Sequence, residues 1–349
     1  MAEADGSRIL PTRLRSDLRA APCTRWEELR ECASYHADLA ELLGGGTTFR
    51  LLNPPRSGGS RQIFHVGGTG LGLGLGLATG TGTGTGTGDG EETSARSLRR
   101  ALREARPGGL TPLLDHVLEI HRALSGMAPL LRSRGQRVAV VLATDGLPTD
   151  PLSGRADQRS RDDLLAALRL LGGLPVWLVV RLCTAEGNVV AYYSDLDQCL
   201  EADVEVLDDL LGEAREVRRH NPWLTYGLVL HRMREWGHHD RAFDLIDERP
   251  LTRSELWDFC SMLFGEGGMD GCPDPDVDWG GFLDRVGRLA RAEERQWDPI
   301  TGRSRPWIDV REMRRVYGNG YRYGCGGSAV VWVSLLVLGA AVLIAYILL

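Results

Sequence analysis

Two stretches of the chain are apolar at nearly every position, Val138–Ala143 and Val176–Leu182. A short run without polar alternation suits a strand covered on both faces, as in a parallel sheet. Around them apolar positions recur every three or four residues, the helical period. That spacing predicts helices over "TRWEELRECASYHADLAELLGG", "SARSLRRALREA", "LTPLLDHVLEIHRALSG", "SRDDLLAALRLL", "AEGNVVAYYSDLDQCLE" and "DLLGEAREVRRH". The first has written ends: Thr24 caps it, Glu27 completes a capping box and Gly44 stops it. "TTFRLLNP", "RQIFHV" and "DVEVLD" read as shorter strands. The alternation predicts an α/β domain over 24–220 with a doubly wound, mostly parallel sheet.

From Asn221 the pattern becomes helical throughout. "PWLTYGLVLHRMREWG", "RSELWDFCSMLFG", "WGGFLDRVGRLARAEERQW" and "WIDVREMRRVYG" are amphipathic, so 221–318 is expected to be a helical extension. Seven of the nine tryptophans lie beyond Asn221, one of them in the tail, and the other six are expected to glue these helices to the sheet domain. Residues 1–23 show no period and are expected to be irregular. Residues 67–90 repeat GL and then GT; glycine at every second place favours a disordered low-complexity loop. A phosphate cradle there lacks both a lysine and a defined strand–turn–helix.

The run Ser328–Leu349 contains no charge. As a helix it spans roughly 30 Å at about 1.5 Å per residue, the thickness of a bilayer core. It is expected to be a single-pass transmembrane anchor. Arg314, Arg315 and Arg322 precede it, which places the body on the cytosolic side.

Composition narrows the chemistry. The net charge of −6 gives no basic field for nucleic acid. All 41 basic residues are arginine, which excludes a Schiff-base or P-loop lysine. The seven cysteines include no CxxC pair, and "MAEADGSRIL" opens without an apolar run, so reduced thiols are expected. "DPDVDWGGFLDR" begins like a calcium loop but has Trp279 and Arg285 where that loop needs Gly and Glu.

Candidate chemistry gathers at the strand tip. In a parallel sheet, ligands bind outside the carboxyl ends of the strands. Asp145 ends the strand in "VVLATDGLPTD", and Thr111 lies in "GGLTPL" before the next expected helix. A hydroxyl and a carboxylate from separate loops are hard ligands suited to Mg²⁺ or Mn²⁺. The plainer alternatives are that Asp145 only forms a turn with Gly146 and Pro148, and that Thr111 only caps a helix starting at Pro112.

These two motifs, in this order and with "TRWEELRE" opening the first helix, resemble a von Willebrand factor A domain over about residues 24–215. The resemblance implies a metal-ion-dependent adhesion site made from a DxSxS loop, a threonine and an aspartate followed by glycine. Thr111 matches the second part and Asp145-Gly146 the third. The first part has no counterpart before Thr24. The nearest approach, "DGSRI", supplies Asp5 and Ser7 but has Ile9 in the last serine's place. The expected chain therefore lacks the central first strand and its ligand loop, as a truncated or a metal-free member would. Strands two and four would then flank a gap of unpaired backbone groups. The implied function is a membrane-tethered protein-interaction module with a protein partner and a degenerate metal site. The alternatives are a metal-dependent enzyme or chelatase-like subunit using the same rim, and a structural anchor with no ligand.

Overall fold

The computed structural model describes residues 6–11, 18–54, 61–67, 94–200, 204–318 and 345–348. The α/β part contains α1 (Arg25–Leu43), β3 (Thr47–Arg50), β4 (Ile63–Val66), α2 (Ser94–Glu104), α3 (Leu113–Ser133), β5 (Val138–Thr144), α4 (Gln158–Gly172), β6 (Val176–Leu182), α5 (Gly187–Cys199), β7 (Val204–Leu207) and α6 (Leu210–His220). It is preceded by β1 (Gly6–Pro11) and β2 (Leu18–Cys23). It is followed by α7 (Leu228–Glu235), α8 (Arg241–Asp244), α9 (Arg253–Phe264), α10 (Glu266–Met269), α11 (Trp279–Ala292), β8 (Gln296–Asp298), β9 (Arg303–Arg305), α12 (Val310–Tyr317) and β10 (Ala345–Leu348).

The main sheet has the order β4-β3-β10-β5-β6-β7. Its strands are parallel except β4, which runs antiparallel to β3 at one edge. Side chains alternate across β5 and both faces are covered. Val138, Val140 and Leu142 join α3, α4 and α5 in one core, while Val141 and Ala143 join α1 and α2 in the other. All seven β5 residues are buried, which is why the run carries no polar alternation. Thr24 and Glu27 form the expected capping box of α1, and Gly44 closes it in the left-handed conformation at φ 65°.

A third core lies in the extension, around Trp223, Phe243, Phe259 and Phe282. The chain turns off α7 at Gly237, whose φ is 74°. A methyl group there would stand 2.8 Å from Cβ of Ala139. Glycine thus permits both the left-handed turn and the close approach to the sheet.

Several expectations need correction. Residues 6–23, expected to be irregular, include an antiparallel hairpin pairing Gly6 with Cys23 and Pro11 with Leu18. The extension is not wholly helical, because Gln296–Asp298 and Arg303–Arg305 form a second hairpin. The gap expected between the second and fourth strands of the domain is filled: β10 pairs in parallel with β3 on one side and β5 on the other. Residues 345–348, expected at the end of a transmembrane helix, are therefore a strand here. Residues 328–344 of that run lie outside the described residues, as do 68–90 of the glycine-rich segment and Asp5. Among the described residues no helix is long and apolar enough to cross a membrane.

Candidate functional site

At the carboxyl edge of β5 the chain turns through Thr144, Asp145 and Gly146. Thr144 is buried; its hydroxyl donates to the Gly146 carbonyl at 3.1 Å and accepts from the Gly146 N–H at 3.3 Å. The same carbonyl accepts from the Tyr193 hydroxyl at 3.1 Å. Burial pushes that phenol up, so it serves as a neutral donor. The tip that presents Asp145 is thus held from below by α5.

The loop before α3 is stitched to this tip. The Thr111 N–H donates to the Thr149 hydroxyl at 2.7 Å, and the Thr149 N–H donates back to the Thr111 carbonyl at 3.0 Å. A methyl group on Gly146 would stand 3.3 Å from the Thr111 hydroxyl oxygen, so glycine leaves room for that hydroxyl at the tip. Asn53 donates to the Leu110 carbonyl at 2.8 Å and ties the loop to the segment after β3. Helix α3 begins at Leu113, its cap position is Pro112, and no side chain caps it. The Thr111 hydroxyl is therefore not a helix cap, contrary to the plainer reading. Thr111 and Asp145 converge on one rim, both half-buried.

Ser7 is placed differently. It is an exposed residue of β1 whose N–H donates to Glu28 Oε2 at 3.3 Å, in the first turns of α1. Thr111 and Asp145 together supply at most three side-chain oxygens where a hard cation takes about six. The residues present do not fit a complete Mg²⁺ or Mn²⁺ site.

Beside the rim lies a feature that the residue pattern did not announce, a knot of buried charge. Arg181, near the end of β6, sends Nη2 to Glu28 of α1 and Nε to Glu235 of α7 at 2.9 Å. Its Nη1 donates to the carbonyls of Leu182 and Asp208, at 2.7 and 2.8 Å. Arg232 also donates to Glu235. Arg25 pairs with Asp209, the cap of α6, at 3.1 Å. Burial alone would raise the Glu235 carboxyl, but Arg232 and the histidines around it hold it well below the usual carboxylate range. Each guanidinium has a carboxylate, the condition under which buried charge is tolerated. The Cys183 thiol, next to Arg181, is pushed up to about 12 by burial and is a neutral, inert group.

A second arginine, Arg234, gathers Glu205, Glu213 at 2.8 Å and Asp247 at 2.9 Å. These residues line a cavity of about 540 Å³ with Trp177, Asp244 and His239. Burial pushes Glu205, Glu213 and Asp244 each up to about 7, because one guanidinium cannot offset several desolvated carboxylates. His239 lies on Trp177 with ring centres 4.0 Å apart and pairs with Asp244.

No protein family, curated relative or solved structure matches the chain. The α/β architecture therefore rests on the strands and helices themselves. The knot had one faint signal, the spacing of Cys32 with His36 and of His231 with Glu235, each four residues apart on one helix face.

Proposed function

We propose that the chain is a protein-interaction module of von Willebrand factor A type, with a degenerate metal site. Its partner surface is the rim that carries Thr111 and Asp145. The observation behind this reading is the stitched pair of loops at the carboxyl edge: Thr111 is locked to Thr149, and its hydroxyl fits against the glycine that follows Asp145. A hydroxyl and a carboxylate on adjoining loops whose backbones are stitched together suit capture of a polar group from another protein better than turn-making alone. The parallel strands with one antiparallel edge strand agree with the doubly wound domain that the reading requires.

The same proposal tethers the module to a membrane through the uncharged run 328–349, with the body facing the cytosol. Because Ala345–Leu348 pair in the sheet here, the tether and the central strand are competing uses of those four residues. Alkaline extraction of cell membranes separates them. A tethered chain stays in the pellet and is released by Leu336→Arg, whereas a chain extracted without that change is not tethered.

The rim is tested by affinity capture from solubilised membranes, with wild type compared against Asp145→Ala and, as control, Glu216→Gln. A partner retained by wild type and the control but lost with Asp145→Ala supports the module. Capture indifferent to Asp145 refutes it. The enzymatic reading gains its one specific support from the acidic cavity around Arg234, where carboxylates that titrate near neutrality face a concave space.

A further inference from the structure

Within the buried knot, Cys32 and His36 converge on Glu235, and the charge pairing explains neither of them. Cys32 and His36 sit one turn apart on α1, and Glu235 ends α7. One donor atom from each lies within 4.8 Å of the others, and all three residues are buried. Cys32 Sγ is 3.3 Å from Glu235 Oε2, and His36 Nε2 is 3.8 Å from the same oxygen. The second distance is too long for a hydrogen bond. Neither ring nitrogen of His36 has a hydrogen-bond partner, although the residue is only 1% exposed. An orphaned buried imidazole is costly and calls for an explanation.

A tetrahedral Zn²⁺ with bonds of about 2.0–2.3 Å sets its ligand atoms about 3.3–3.8 Å apart. The separations of Cys32 and of His36 from Glu235 already have that size, and Cys32 and His36 lie within 4.8 Å of each other. His231 Nε2 lies 3.4 Å from Glu235 Oε1, and its Nδ1 lies 3.3 Å from the Tyr226 hydroxyl. It therefore flanks the carboxylate as an outer partner of the kind that orients metal ligands. Arg232 donates to the same Oε2, but a carboxylate offers about four lone-pair positions, and Cys32 vacates one when its thiol proton leaves.

We propose that Cys32, His36 and Glu235 hold a thiophilic divalent cation of the zinc class, which staples α1 of the sheet domain to α7 of the extension. Binding forms bonds from Sγ, a ring nitrogen and a carboxylate oxygen to the ion, and it releases the Cys32 thiol proton to solvent. A water molecule takes the fourth position. The site is separate from the Thr111–Asp145 rim, and loss of either leaves the other in place.

The test uses Co²⁺ as the probe, added to the full chain after chelation. A bound cobalt shows visible d–d bands, and a thiolate ligand adds a charge-transfer band in the near ultraviolet. The expected result is about one cobalt per chain with both features. Cys32→Ser should lose the charge-transfer band, and His36→Asn should weaken affinity at least tenfold, within the loss expected for one ligand of a metal site. Glu216→Gln, which alters the neighbouring acidic group, should change neither. Wild type without the charge-transfer band overturns the proposal whatever the variants do. So does a band that survives Cys32→Ser, which would assign it to another cysteine.

Discussion

The rim at Thr111 and Asp145 and the knot around Glu235 lie near the same edge of one sheet, yet they are built by opposite rules. The rim is half-buried and held by backbone contacts, with short polar side chains on loops. The knot is buried and held by long charged side chains that reach from α1, β6 and α7. A rim of this kind can lose a side chain with little damage, because water replaces what is removed. A knot cannot, since each charge left without its partner stays desolvated. The contrast separates a surface arranged for recognition from an interior arranged to hold two parts together.

The sharpest way to break that comparison is to remove the hub. Glu235→Ala strands Arg232 in the interior and takes from Arg181 one of its two carboxylates, and about 3–5 kcal/mol of stability should be lost. Urea unfolding reads this as a lower midpoint, whereas Thr111→Val at the rim should cost less than about 1 kcal/mol. Equal losses would mean that the two regions do not differ as described. Gly237→Ala comes next. It places a side chain at φ 74° and 2.8 Å from Cβ of Ala139, and about 1–3 kcal/mol should be lost as the extension is pushed from the sheet.

Acid–base behaviour sharpens the picture further. Glu205, Glu213 and Asp244 hold their protons in the folded chain up to about 7, while the unfolded chain has released them well below that. Their contribution is fully present at pH values below the unfolded carboxyl range and is lost as pH rises toward 7. Burial lowers the basicity of His36, His65, His116, His231 and His238, and these pull the other way below about pH 6.5. The assignment is therefore read from a difference: Glu213→Gln should gain melting temperature relative to wild type as pH rises from about 5 to about 7.5, and a difference that stays constant or falls would contradict it. The smallest effect belongs to Gly146→Ala, whose methyl group would press on the Thr111 hydroxyl from 3.3 Å. Stability should change by less than about 1 kcal/mol, but partner capture by the rim should weaken.

The legible parts of the molecule were those in which one residue carries one local job. Thr24, Glu27 and Gly44 announce both ends of α1, and the unbroken apolar run of β5 announces a strand covered on both faces. Asp145 is expected at a strand end and Thr111 in the loop that opens a helix, so each is announced by its own short turn motif. Thr149, which clamps Thr111, is not, because its role depends on a contact made 38 residues away. The β1–β2 hairpin was missed because the prolines and arginines of 6–23 break any period. The knot was missed for a related reason: "HRMRE" in α7 reads only as part of an amphipathic helix, and only the fold sets Arg181 and Glu28 against it. The filling of the sheet's centre by β10 pairs residues almost 300 positions apart, from Thr47 to Ala345, which no local pattern encodes.

The central claim is that Thr111 and Asp145 form one partner-binding rim. The most direct test is to replace Leu110, which is 39% exposed beside Thr111, with a photoreactive amino acid and to irradiate in cells. Leu170 on α4, which is 51% exposed, serves as the control position. The account predicts a discrete cross-linked protein at position 110 that is absent at position 170 and disappears with Asp145→Ala. An adduct that persists in Asp145→Ala, or none at position 110, would contradict it.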